Sequence, residues 1–335
     1  MSRQTIQDVE GTTEANMQMR CAIATLGLIW LAAACSGGGG GSSPSGPTTP
    51  PTPPSTGAPQ SQFNQTYGSG LTMSGSTSLT LDLYQSGEQC TAARPVVILI
   101  HGGSFQVGSK TSSPWPSIAG SLTDRGYVAI SINYRLERDD PVPSAEFTPV
   151  RNGLLSDLPG PTTPAIEQQA DIVASAFEDA VTAIRWAIEN ADANCIDTSR
   201  IALWGGSAGA VIALHTAYGL DEFAIDVPKP QVVIDYWGRF IGSGFMEASD
   251  PPLLILHGDA DDVVAYSFAQ ELQSEAQAAT VPHSFYTVTG AGHSFGAIPI
   301  GTTRVDGITL EELTLRFLDA QLQDGTENFE TRTIP

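Results

Sequence analysis

Gly205-Gly-Ser-Ala-Gly209 is a G-x-S-x-G pentapeptide between the apolar run Arg200-Ile-Ala-Leu-Trp-Gly205 and a stretch that reads as a helix to about Tyr218. A serine on a sharp strand-to-helix turn takes strained dihedrals, and side chains at the flanking positions would collide with neighbouring backbone, so glycine there meets a steric need. The hydroxyl is a poor nucleophile until a base takes its proton. Upstream, Pro95-Val-Val-Ile-Leu-Ile100 ends in His101-Gly-Gly-Ser-Phe105. Its glycines let backbone N–H groups turn toward one point, where a developing oxyanion can be held. Downstream, Leu253-Leu-Ile-Leu256 ends in His257-Gly-Asp-Ala-Asp-Asp-Val-Val264, which puts Asp259, Asp261 and Asp262 at a strand terminus. The next run, Ser284-Phe-Tyr-Thr-Val288, leads to Gly290-Ala-Gly-His-Ser-Phe295. Each motif alone has a plain reading as a glycine-rich or strand-end turn. Together, in the order Ser207, an aspartate, His293, they supply a nucleophile, an orienting acid and a base for acyl transfer.

The remaining histidines read as structural. His101 ties its own loop, His215 lies on the helix after Ser207, His257 caps a strand and His283 opens one. No cluster has metal-ligand spacing, and there is no glycine loop for a nucleotide, so neither metal nor cofactor is expected.

These motifs need strands to carry them. Leu79-Thr-Leu-Asp-Leu-Tyr84 alternates like a strand with one wet face, while Pro95–Ile100 and Tyr127-Val-Ala-Ile-Ser-Ile-Asn-Tyr134 are nearly continuous, like strands buried on both faces. Val232-Val-Ile-Asp-Tyr236 is a further strand. Helices are expected from Trp115 to Arg125, over a long stretch placing Phe177, Val181, Ile184 and Ile188 on one face, and near the end where Leu310, Leu313 and Phe317 recur. The alternation predicts an α/β fold in one domain over 62–323, a mostly parallel central sheet with helices on both faces, and a tail at 324–335. Residues 138–164, rich in Pro and Asp, read as an excursion, with Phe147, Val150, Leu154 and Leu155 apolar enough to dock. Loops that long are seldom idle.

The 335 residues are enough for a full core without staples. Acidic residues number 36 against 15 basic, a net charge of -21. Such a surface repels phosphate backbones and anionic headgroups, which excludes nucleic acid as a partner. At the N-terminus, Arg20 precedes an apolar run from Cys21 to Ala34, short for a membrane span and suited to a signal peptide. Ala32-Ala-Ala-Cys35 resembles a bacterial lipoprotein signal, in which Cys35 is lipidated, with Ala32 where leucine is usual. Plain secretion with cleavage near Ala34 is the alternative. Residues 1–35 are thus expected as a signal segment and 36–61 as a disordered Gly/Ser/Pro/Thr tether. The expectation is an exported protein, held at the cell envelope by a lipid on Cys35 or secreted, with no other membrane contact. Cys90 and Cys195 are left as one available pair in an oxidising compartment.

Over about residues 75–322 the motifs resemble the α/β-hydrolase superfamily and, within it, the bacterial esterase and carboxylesterase branch. Leu81-Asp-Leu-Tyr84, Ile132-Asn-Tyr-Arg-Leu136 and Asp197-Thr-Ser-Arg-Ile-Ala-Leu203 share in the likeness. The resemblance implies that fold and a serine carboxylic ester hydrolase working through an acyl-enzyme. It implies Ser207 as nucleophile and His293 as base. Asp261 becomes the acid, because His257 to Val264 matches the family's H-G-x-x-D-x-x-V pattern. The oxyanion donors become the N–H groups of Gly103, Ser104 and Ala208, with Ser104 where hormone-sensitive-lipase-like members carry a third glycine. In this fold the strands feeding the oxyanion loop and the nucleophile are parallel neighbours, which implies a Cys90–Cys195 disulfide. The short connection 237–252 leaves no room for a large cap domain. The implied substrates are therefore short or bulky esters, of acetyl, feruloyl or polyester type, with Phe105, Trp204 and Trp237 as candidates to line the pocket. A serine exopeptidase of the same superfamily and a catalytically silent binding module are the alternatives. A dehalogenase-type reading fails, since Ser207 stands where that chemistry needs a carboxylate.

Overall fold

A short apolar β-branched run without a polar alternate suits a strand covered on both faces, and β3 (Arg94–Ile100) shows how this chain uses it. Val96, Ile98 and Ile100 enter one hydrophobic core, while Val97 and Leu99 enter another on the opposite face. The computed structural model describes residues 60–335 apart from 157–161, 296–299, 303 and 327. The signal segment, Cys35 and nearly all of the tether lie outside the described residues. The other strands of the sheet are β1 (Gln62–Thr72), β2 (Gly75–Tyr84), β4 (Val128–Ile132), β5 (Ile196–Gly206), β6 (Val232–Tyr236), β7 (Leu253–Gly258), β8 (His283–Val288) and β11 (Thr331–Ile334). A small hairpin, β9 (Arg304–Val305) and β10 (Ile308–Thr309), lies apart. The sheet order is β1-β2-β4-β3-β5-β6-β7-β8-β11. All neighbours from β4 to β11 are parallel, and the β1–β2 and β2–β4 pairs are antiparallel.

Helices α1 (Trp115–Asp124), α2 (Thr148–Ser156), α3 (Pro164–Glu189), the single turn α4 (Ala191–Asn194), α5 (Ala208–Tyr218), α6 (Tyr266–Ala279) and α7 (Leu310–Asp319) fill the crossovers. Apolar residues of α2, α3, α5 and α6 pack on one face of the sheet, and those of α1 and α7 on the other. The long α3 begins where Thr163 accepts a hydrogen bond from the Ile166 N–H and Pro164 takes the first turn, the usual start chemistry. This is the expected mostly parallel sheet with helices on both faces. Among the described residues no helix is long and apolar enough to cross a membrane.

Two segments differ from expectation. Residues 324–335, expected as a tail, supply β11, which pairs with β8 through Thr331–Phe285 to Ile334–Val288 and buries Ile334 completely. A four-residue edge strand with one apolar side chain gives no alternation to read. Residues 138–164 contain a helix, α2, and it docks: Phe147, Val150 and Leu154 are buried against α3 and its neighbours. Below the sheet's working edge, Cys90 and Cys195 form a disulfide across a sequence separation of 105, with Cα atoms 5.7 Å apart. The pair joins the segments leading into β3 and β5, where the Arg94 N–H donates to the Cys195 carbonyl at 2.8 Å.

Candidate active site

Ser207 ends β5 and caps α5 with φ 54° and ψ −121°, a conformation L-residues rarely hold. The surrounding glycines are there for space. A Cβ on Gly205 would stand 2.1 Å from the Gly209 carbonyl oxygen, and one on Gly209 would stand 2.1 Å from that of Ile100. The Ser207 N–H donates to Tyr236 at 2.9 Å, and its carbonyl accepts from Ala210 and Val211, so the turn is fastened on both sides.

His293 follows β8. Its Nε2 lies 3.0 Å from Ser207 Oγ, and its Nδ1 lies 2.8 Å from Asp261 Oδ2. Beside an ionised Asp261, Nδ1 carries the hydrogen and Nε2 is left to accept from the serine. Asp261 Oδ1 accepts from the N–H groups of Val263 and Val264, both at 2.9 Å. Burial alone would raise this carboxyl, but hydrogen bonds from His257, His293, Val264 and Val263 overcome it and hold the group well below the usual carboxylate range. Asp259 instead accepts from the Gly290 N–H at 2.6 Å, and Asp262 is exposed, so Asp261 alone of the three meets His293. Trp237 packs edge-on to His293, with centroids 6.3 Å apart, and to Phe295 at 4.7 Å.

His257, read from sequence as a strand cap, is a neighbour of the acid. Its Nε2–H donates to the Val264 carbonyl at 2.8 Å and lies 3.3 Å from Asp261 Oδ2. Burial pulls its pKa down, but the hydrogen bond to Asp261 and the charge of Asp235 reverse this and raise it. Asp235 in turn is pushed up to about 7 by burial, against the pull of His257. The signal that could have found His257 is its place four residues before Asp261, across one turn of a strand end.

The loop after β3 lies against the serine. A Cβ on Gly102 would be 2.7 Å from the Gly206 carbonyl oxygen and 3.2 Å from Ser207 Cβ. Gly103, Ser104 and Phe105 all have positive φ, at 116°, 55° and 61°. Among the described residues no backbone acceptor engages the N–H groups of Gly103, Ser104 or Ala208. His101 steadies this loop: its Nδ1–H donates to the Gly102 carbonyl at 2.7 Å, its ring stacks on Tyr134, and burial lowers its pKa to about 4. The Tyr134 hydroxyl donates to the His101 carbonyl at 3.0 Å. Among the expected pocket residues, Phe105 is half-buried against Tyr134. Trp204 lies fully buried in the sheet core opposite α3 and α5, so it lines no pocket at Ser207. Residues 237–252, between β6 and β7, carry bends and turns and no helix.

A family model described as an alpha/beta hydrolase fold matches residues 172–237, and one described as BD-FAE matches residues 81–150. Esterase 2 of Thermogutta terrifontis, phosphorylated by paraoxon, is a similar solved structure: 21% identical, TM-score 0.58, covering 78% of this chain and 94% of that one. MGS-M1, an alpha/beta hydrolase enzyme from a Medee basin deep-sea metagenome library, is 20% identical with a TM-score of 0.51, covering 73% and 93%. A non-reducing polyketide synthase of Stereocaulon alpinum is 27% identical over 157 residues, which are 45% of this chain and 5% of that protein. This chain therefore spans a small fraction of that relative's length. With five parallel strands delivering the 101–105 loop, Ser207, Trp237, Asp261 and His293 to one edge, the chain has the α/β-hydrolase fold.

Proposed function

We propose that the protein is a serine carboxylic ester hydrolase acting on short or bulky acyl esters through an acyl-enzyme at Ser207. The observation that carries this reading is the unbroken line from Ser207 Oγ to His293 at 3.0 Å and from His293 to Asp261 at 2.8 Å. As Ser207 Oγ attacks the ester carbonyl, His293 Nε2 takes its proton, and Asp261 stabilises the imidazolium and fixes its tautomer. The N–H groups of Gly103, Ser104 and Ala208 receive the oxyanion. His293 returns the proton to the leaving alkoxide, then deprotonates the water that splits the acyl-enzyme. Support for short acyl groups comes from the helix-free connection 237–252 and from Trp237 packed beside His293. The similar Thermogutta esterase has been solved with propionate and with butyrate bound.

Initial rates on p-nitrophenyl acetate through palmitate, for the protein and Ser207→Ala, test the reading. Turnover should be fastest from acetate to butyrate, and the variant should lower kcat by about four to six orders of magnitude. Absence of Ser207-dependent turnover at every chain length would contradict it and turn attention to peptidyl substrates, then to a silent binding module.

We propose further that a lipid on Cys35 displays the domain at the cell envelope on a flexible tether. Metabolic labelling with an alkyne fatty acid should mark the protein, and Cys35→Ser should lose the label and leave the membrane fraction. A Cys35→Ser protein that still carries the label would overturn the anchor.

A further inference from the structure

Among the described residues two arginines are deeply buried, and they are treated differently. Arg135 has every guanidinium nitrogen engaged, by Asp179, Glu178 and the carbonyls of Leu71, Val142 and Ser175. Arg239 is 6% exposed, yet among the described residues its guanidinium meets no hydrogen-bond or ion-pair partner. Its Cζ lies over the Phe268 ring, 4.5 Å from the centroid. That cation–π contact uses none of the five N–H donors as a hydrogen bond. The guanidinium nitrogens keep some solvent access, so a ligand bound there would replace water with its own acceptors.

Arg239 also lines a cleft of about 450 Å³ between the connection after β6 and helix α6. Phe240 and Leu272 give it an apolar wall, and the Ser243 and Ser267 hydroxyls add donors. Glu271 and Glu275 stand at the same cleft. Glu275 is already committed, accepting from the Gly244 and Phe245 N–H groups at 2.7 and 2.9 Å. Glu271 makes no ion pair with Arg239 within 4.0 Å. Burial lowers the Arg239 pKa, partly offset by Glu271 nearby.

We propose that this cleft binds a small organic monocarboxylate, its carboxylate forked on the Arg239 guanidinium and its apolar body against Phe240 and Leu272. The planar fork of donors matches a carboxylate or a phosphate. One cation beside two glutamates, in a chain of net charge -21, favours the singly charged group. None of the cleft's lining residues belongs to the Ser207–His293–Asp261 line, so the site is separate from the proposed ester chemistry. It shares an edge of the sheet with it, because Arg239 follows Trp237 by two residues and α6 begins soon after Asp261.

Calorimetric titration of the full chain with 3-phenylpropionate and with 3-phenylpropionamide tests this, before and after sulfonylation by phenylmethylsulfonyl fluoride. The acid should bind at least about tenfold tighter than the amide, and sulfonylation should leave that preference intact. Arg239→Met should abolish the preference, Arg239→Lys should retain part of it, and Glu271→Gln should strengthen binding of the acid. No saturable binding of the acid, equal affinity for acid and amide, or a preference unchanged in Arg239→Met would overturn the proposal. So would loss of acid binding on sulfonylation, which would place the acid at Ser207. The acid-to-amide ratio is read on the unaltered chain, so the test stands even where a variant fails to fold.

Discussion

At φ 54° and ψ −121°, Ser207 stores backbone strain of order 1–3 kcal/mol, held by the Tyr236 carbonyl on one side and the first turn of α5 on the other. That strain lifts Oγ clear of the sheet toward His293. The acid is fixed as firmly, by two backbone N–H groups and by His257, whose Nε2–H is shared between Val264 and Asp261. In the proposed chemistry His257 is thus a positioning residue acting through Asp261. His257→Leu should lower kcat about 10- to 100-fold with KM nearly unchanged, and His257→Gln, which keeps an N–H donor, should recover part of the loss. Steady-state kinetics would contradict this if the leucine variant kept its parent's kcat, or lost kcat with no recovery by glutamine. The residues that meet at the site were legible because each stands on a glycine-marked strand end. His257 was not, because its distinguishing contact is made across a turn rather than along a periodic element.

Among the strands, the clearest to read are those the sheet buries on both faces. β3, β5, β6, β7 and β8 are almost wholly buried along their apolar runs, so the pattern in the chain is the pattern in space. β1 is largely exposed at the sheet edge and reads Gln-Phe-Asn-Gln-Thr-Tyr at its start, with little apolar content to betray a strand. α2 holds Pro149, Asn152 and Gly153, all poor helix formers, and owes its form to packing on α3. What ties the front hairpin and the loop after β4 to α3 is Arg135. Its partner Asp179 is pushed up to about 6, chiefly by burial and in spite of Arg135. An acid whose pKa rises on folding adds stability below its unfolded value and loses it as pH climbs through the folded one. Without Arg135 the folded value rises further, so that loss extends to higher pH. Arg135→Met should therefore cost about 3–5 kcal/mol at pH 8 and less at pH 5. Urea unfolding at the two pH values checks it, and a deficit equal at both, or larger at pH 5, would contradict it.

Across the whole molecule, parallel strands converge their C-terminal ends on one edge, and the chemistry-bearing loops all emerge there. The Cys90–Cys195 bond closes the frame below the sheet's working edge, and the β11–β8 pairing closes its outer side, with the Thr289 N–H donating to the Ile334 carbonyl at 2.8 Å just before the His293 turn. A surface of net charge -21 surrounds it, suited to neutral substrates more than to polyanions. In the proposed chemistry His293 makes Ser207 a nucleophile. The most direct test of this is covalent labelling of the full chain with a fluorophosphonate, followed by mass analysis of the peptides. One label per chain on the peptide bearing Ser207, with labelling slowed at least about a hundredfold in His293→Ala, is the expected result. A label elsewhere, no label, or equal labelling in His293→Ala would contradict it.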